Sequence, residues 1–128
     1  MIDTHAHIHF EEFAGDIEVI FANALKNSVD SIITVGTNDE DSRRALGFVS
    51  DQTVLKQAGD IKLYATVGLH PHDANKGSDA LLTIEDLVDG QDLNTKPIAI
   101  GECGLDYYKN YSTKAEQRFV LEFQIGLA

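Results

Sequence analysis

Pro97-Ile98-Ala99-Ile100-Gly101-Glu102-Cys103-Gly104-Leu105-Asp106 is a short apolar run that stops at a glycine, turns, and delivers a carboxylate before a helix-period segment begins. The same order recurs upstream. Ser31-Ile32-Ile33-Thr34-Val35 reads as a buried strand ending at Gly36, and Leu63-Tyr64-Ala65-Thr66-Val67 as another ending at Gly68. Glycine after each of these strands fits a backbone that turns sharply beside a ligand site. An earlier strand spans about Met1 to His7. The helix that follows starts near Asp16, with Ile17, Ile20, Phe21, Ala24 and Leu25 at i, i+3, i+4, i+7 and i+8 forming one buried stripe. Thr37 or Asn38 is the expected N-cap of a second helix carrying Ala45, Leu46, Phe48 and Val49. A polar loop and a helix around Leu81 to Val88 follow the third strand, and a helix from about Thr113 to the last residue follows the fourth.

A pattern that switches four times between strand and helix periods marks an α/β protein built from βα units. Four units in 128 residues average about 32 each, and eight would need about 256, near the ~250 residues of a (β/α)8 TIM barrel. The expected architecture is therefore the first four βα units of such a barrel, with residues 1–128 as its N-terminal half. A small doubly wound sheet is the alternative, but no Gly-x-Gly-x-x-Gly turn follows the first strand.

Composition narrows the class. Hydrophobic residues make up 43% and only two prolines interrupt the chain, as in globular domains. No apolar window is long enough for a membrane span, and the N-terminus enters its first strand without a leader, so the expected compartment is the cytoplasm. A single cysteine, Cys103, excludes an intrachain disulfide. The formal charge of −11 argues against holding nucleic acid by counterion release alone.

The chemistry concentrates at strand ends. His5 and His7, in Asp3-Thr4-His5-Ala6-His7, are spaced i and i+2, so on an extended strand both imidazoles leave the same face and can close on one metal ion. Glu102 supplies a carboxylate from the end of another strand, on the face where barrels carry catalytic groups. Three ligands of this kind suit Mg2+, Mn2+ or Zn2+ without choosing among them.

Taken in order, Asp3-Thr4-His5-Ala6-His7, Val67-Gly68-Leu69-His70-Pro71-His72 and Ile100 to Tyr108 resemble the first-, third- and fourth-strand motifs of the TatD family of metal-dependent deoxyribonucleases, which are amidohydrolase-like barrels. Gln117, Phe119 and the segment 123–128 are similar to the stretch that follows. The resemblance covers the whole chain. It implies a metal-dependent hydrolase that cleaves phosphodiesters, most plausibly in DNA. His5, His7 and Glu102 are then metal ligands, Glu102 is also the catalytic carboxylate, and His70 and His72 bind substrate. It further implies two divalent ions in a complete site, with two more histidines and an aspartate general base contributed by later strands, beyond these 128 residues.

Each assignment has a plainer counterpart. His5 and His7 could be strand-end histidines bonded to backbone, Glu102 a solvated loop carboxylate, and His70 a cap for the turn before Pro71. His9, where the family often has an acid, reads with Phe10 as a loop residue. Cys103 reads as a small buried hydrophobe. Asp106 orients a ligand or holds the turn, and Tyr107 and Tyr108 read as packing. Lys109, Lys114 and Arg118 read as a solvated helix face. The same ligands could also serve hydrolysis of a carbonyl or lactone substrate, or a noncatalytic half-barrel that binds metal or a partner. Unpaired sheet edges in a half-barrel predict self-association, or association with a second polypeptide that completes the barrel.

Overall fold

The computed structural model describes residues 1–90 and 96–128. Four parallel strands, β1 (Ile2–Ala6), β2 (Ser31–Val35), β3 (Lys62–Val67) and β4 (Ala99–Ile100), form one sheet in the order 1-2-3-4. The helices are α1 (Ile17–Lys26), α2 (Asp39–Ser50), α3 (Gln52–Ala58), α4 (Gly77–Asp89) and α5 (Lys114–Leu127). Sequence order equals spatial order, the arrangement that successive βα units produce when each strand is laid beside the last.

Three apolar clusters join the helices to the sheet. Leu46 and Val49 of α2 meet Ala65 and Val67 of β3 and Ile84 and Leu87 of α4. Ile17 and Phe21 of α1 meet Ile32 of β2 and Ala58 of α3. Leu69 joins Leu81 of α4 to Val120 of α5. The expected stripe of α1 is only partly buried: Ile17 and Phe21 are enclosed, whereas Leu25 is exposed.

Local chemistry sets the helix starts. Asn38, not Thr37, caps α2 by accepting from the Asp41 N–H. Asp51 caps α3, a helix that the sequence pattern did not announce. Thr113 and Glu116 form a reciprocal capping box at the start of α5. The loop after β3 is a 3-10 turn, Pro71–Lys76, with Pro71 in its first turn.

Strand β1 departs from regular pairing. Asp3 lies opposite Ile32 and Ala6 opposite Thr34, so β1 spends one extra residue between them. The Asp3 carboxylate accepts from the His5 N–H at 3.1 Å inside this bulge. A bulge re-aims the side chains it carries, and the residues inside it are Thr4 and His5.

Two of the strand-end glycines have a specific reason to be glycine, and it is close approach rather than a left-handed turn. A Cβ on Gly68 would lie 2.6 Å from the Gly101 carbonyl carbon and 2.9 Å from the Glu102 nitrogen. A Cβ on Gly36 would lie 2.6 Å from Ser42 Oγ. The Gly101–Glu102 backbone thus crosses over the end of β3, and the Glu102 N–H donates to the Gly36 carbonyl at the end of β2.

Candidate metal centre

His5, His7 and Glu102 come together at the C-terminal ends of β1 and β4. One ligand atom from each lies within 4.8 Å of the other two. That spread is slightly wider than two metal–ligand bonds of about 2.0–2.2 Å, so small side-chain rotations bring the three donors onto one ion. The donor set, two imidazoles and a carboxylate, fits a divalent cation.

The surroundings select the donor atoms. His7 Nδ1–H donates to the Val35 carbonyl at 2.8 Å, which leaves the Nε2 lone pair free for a metal. The His7 ring stacks on Phe10 at 5.0 Å and meets His5 edge-on at 5.2 Å. His5 Nε2 lies 3.5 Å from Glu102 Oε2, and His70 Nε2 lies 3.6 Å from Glu102 Oε1. The carboxylate therefore turns one oxygen to the candidate ligand and the other to His70.

His70 presents a donor here. The His72 N–H donates to His70 Nδ1 at 3.2 Å, so in the neutral ring the proton sits on Nε2. Burial lowers the His70 pKa from its ordinary value, outweighing the pull of Glu102 in the opposite direction. His72 is engaged elsewhere: its Nε2–H donates to Asp106 Oδ2 at 2.6 Å. That bond, with the N–H groups of Lys109 and Tyr108, holds the Asp106 carboxyl down at about 2. Asp106 thus both holds its own turn and orients His72.

A cleft of about 350 Å³ opens over this cluster, lined by Thr4, His5, Val35, Thr66, Ile100, Gly101, Glu102 and Cys103. Cys103 corrects an expectation. Strand β4 ends at Ile100, so strand alternation does not carry to residue 103, and the thiol is half-buried in the cleft instead of enclosed in the core. Burial, and next to it Glu102, pushes its pKa up. Tyr107 and Tyr108 also depart from the packing role, since both rings are exposed. A larger groove of about 530 Å³ beside β4 is lined by Val88, Pro97, Ile98, Ile100 and Leu127, with Lys96 as its one charged side chain among the described residues. It lies away from the histidines and carries no comparable chemistry.

His9 lies in the turn after β1, as expected, but its side chain is fully enclosed. Its Nε2–H donates to Asp41 Oδ1 at 3.0 Å, and the Thr34 hydroxyl meets Nδ1 at 2.6 Å. Asp41 also accepts from the Thr37 N–H and hydroxyl. Burial works against ionisation of Asp41, but the bonds from His9 and Thr37 prevail and hold the carboxyl well below its usual range. Asp41 has no motif of its own, and the resemblance that covers Gln117 and Gln124 does not say what their amides do. Gln117 accepts from the Asp106 N–H and donates to the Asp106 and Ser112 carbonyls, while Gln124 accepts from the Leu69 N–H and donates to the Leu69 carbonyl. The signal for the burial of the two glutamines is the i, i+3, i+7 spacing of Gln117, Val120 and Gln124, which puts two amides on a buried helix face.

The family model described as TatD related DNase matches residues 2–128. The chain belongs to that family. It is 34% identical over 130 residues to the 3'-5' ssDNA/RNA exonuclease TatD of Edwardsiella piscicida, covering all of this chain and 45% of that protein. It is also 34% identical over 130 residues to a Bacillus subtilis protein named uncharacterized metal-dependent hydrolase YabD, covering 100% of this chain and 46% of the relative. Among solved structures, YJJV, a TatD homolog from Escherichia coli K12, superposes with a TM-score of 0.80 at 32% identity, covering 100% of this chain and 46% of its own. The chain thus spans about half the length of the relatives it matches. Its four-stranded sheet is a curled half of a TIM barrel, as the alternation of periods predicts. Among the described residues, no helix is long and apolar enough to cross a membrane.

Proposed function

We propose that this chain carries the first part of a metal-dependent phosphodiesterase site acting on nucleic acid, with DNA as its substrate. The observation that carries the reading is the convergence of His5, His7 and Glu102 within 4.8 Å of one another at one mouth of the sheet, with the His7 tautomer already set by Val35. The names of the relatives, exonuclease and metal-dependent hydrolase, support the reaction class and the use of a metal.

His5 and His7 hold a divalent ion through neutral imidazoles, and Glu102 adds the anionic ligand. Mg2+, Mn2+ or Zn2+, probed one by one, supplies Lewis acidity and an acidified water when bound, and a complete site takes two such ions. Glu102 is the catalytic carboxylate because it stands at the centre of the cluster, between His5 and His70. His70 presents an N–H to an anionic oxygen, either Glu102 or a substrate phosphate. His72 acts one step back, anchored to Asp106 and fixing His70 through its own backbone N–H.

The test is calorimetric titration of the chain with Mn2+, beside cleavage of a labelled single-stranded oligonucleotide. The expected result is uptake of one ion, weakened at least tenfold by His5→Ala or His7→Ala, and Glu102-dependent cleavage slower than that of a full-length relative. If help from the general base of the later strands is missing, the rate deficit is about 10²–10⁴-fold. Unchanged titrations for both histidine variants refute the ligand assignment. Turnover that survives Glu102→Gln refutes the catalytic one.

A further inference from the structure

Tyr107, Tyr108 and Tyr111 are 40%, 88% and 63% exposed, on one short loop between Glu102 and α5. Single exposed aromatics are ordinary, but three within five residues form a patch, and patches of this kind mark contact surfaces. Packing does not explain the placement of Tyr108. Nor is the loop that carries them loose. Asp106 accepts from the N–H groups of Tyr108 and Lys109, Gln117 clamps Asp106 and Ser112 from below, and the Ser112 hydroxyl donates to the His72 carbonyl. The rings are held outward by a bonded frame.

Charge sets the patch apart from the rest of the molecule. The chain has a net charge of −11, yet Lys109 and Lys114 lie 5.8 and 4.9 Å from the centroids of the Tyr108 and Tyr107 rings. Arg118 is exposed on the next turn of α5. Glu116, the one carboxylate in this stretch, is occupied in the Thr113 capping box.

Contacts also connect the patch to the metal cluster. Glu102 lies 3.6 Å from His70, the His70 ring meets His72 at 4.3 Å, and the His72 ring meets Tyr111 at 4.7 Å. Three steps therefore lead from the candidate catalytic carboxylate to an exposed tyrosine.

We propose that Tyr107, Tyr108 and Tyr111 form a stacking surface for the bases of a single-stranded nucleic acid, whose backbone passes Lys109 and Lys114 on its way to the metal cluster. The proposal rests on the phosphodiesterase reading and adds to it a binding surface outside the metal cluster. Aromatic faces flanked by cations bind unpaired bases with little regard to sequence, because every base offers a π-face, and a duplex keeps those faces inside its stack. Stacking also offsets the weak counterion release expected of an acidic chain.

The experiment is fluorescence anisotropy in EDTA, so that nothing is cleaved, using the 128-residue chain and a labelled dT12. An abasic oligomer of equal length and a 12-base-pair duplex are the comparisons. Tyr108→Ala is the main variant because the ring is almost wholly exposed and its removal leaves the fold intact. Expected is a loss of about 5–150-fold in dT12 affinity for Tyr108→Ala, with Tyr108→Phe near wild type. The abasic strand should bind wild type at least as weakly as dT12 binds Tyr108→Ala. Lys109→Gln with Lys114→Gln should flatten the slope of log K against log salt by about 1.4. No binding of dT12, equal binding of the abasic strand or the duplex, or an inert Tyr108→Ala overturns the proposal. Mn2+ titration of the same preparations keeps the two readings apart. Tyrosine-dependent binding without Mn2+ uptake fails only the phosphodiesterase reading, and Mn2+ uptake without tyrosine dependence fails only this one.

Discussion

Replacing Gly68 by alanine tests the geometry that places Glu102. The new methyl carbon starts 2.6 Å from the Gly101 carbonyl carbon and 2.9 Å from the Glu102 nitrogen. Carbon contacts settle at about 3.5–4.0 Å, so the crossing backbone must lift by about 1 Å. Both neighbours are main-chain atoms and cannot rotate away. Overpacking of this kind costs about 1–3 kcal/mol. The lift also pulls on the bond from the Glu102 N–H to Gly36 and displaces the carboxylate from His5. A misplacement of about 1 Å in a catalytic group costs on the order of 10²-fold in rate, and Mn2+ affinity should fall with it. Gly47→Ala is the internal comparison. Gly47 lies within α2 with nothing within 4 Å of its added Cβ, so alanine there should stabilise by about 0.5–1 kcal/mol. Urea unfolding and Mn2+ titration of the two variants should move in opposite and separable ways. A Gly68→Ala protein with wild-type stability and wild-type Mn2+ binding refutes the crossing geometry.

Three further perturbations probe the frame around the cluster. Asp3→Ala removes the acceptor of the His5 N–H in the β1 bulge; Mn2+ affinity should drop about 10–100-fold with little change in the unfolding midpoint, and unchanged calorimetry counts against the role given to Asp3. Asp41→Asn leaves the buried donors of His9 and Thr37 short of an acceptor and should cost about 1–3 kcal/mol at pH 7. Because the folded pKa of Asp41 is depressed, its contribution is full above the unfolded value of about 3.9 and is lost as pH falls through the folded one. Urea midpoints of wild type and Asp41→Asn should therefore converge on acidification below about pH 4, and a constant gap down to pH 2.5 contradicts this. Gln117→Leu should cost about 1–3 kcal/mol and speed amide exchange across residues 106–112, with exchange elsewhere unaffected; slow exchange in that loop argues against the clamp.

The sequence displays what is local and periodic. Ile17 and Phe21, or Leu46 and Val49, declare buried helix faces through their spacing, and the glycines after β2 to β4 mark where strands stop. The three motif segments bring their histidines and carboxylate to the strand ends where the structure has them. What stayed hidden depends on pairs far apart in the chain. The extra residue of β1 shows only against the register of β2. The Asp41 side chain looks like an ordinary helix-start acid until His9 and Thr37 close around it. Gly36 and Gly68 suggested sharp turns, whereas their real constraint is close approach, by Ser42 at Gly36 and by the Gly101–Glu102 backbone at Gly68. Tyr107 and Tyr108 looked like packing because aromatic residues usually are buried, and only the bonded loop beneath them turns them outward.

The contact between His7 Nδ1 and the Val35 carbonyl spans 28 residues and exists only when β1 lies correctly against β2. Slip β1 by one residue and the carbonyl no longer faces the ring; the tautomer is free, and alternate side chains exchange faces. A chain docked in the wrong register therefore loses the bond that fixes the His7 tautomer and, on the proposed ligand assignment, offers an ion a poorer site. On that assignment, a divalent ion would be captured by correctly registered chains in preference to slipped ones. Ion uptake during refolding would then be a clock for the closing of one particular seam.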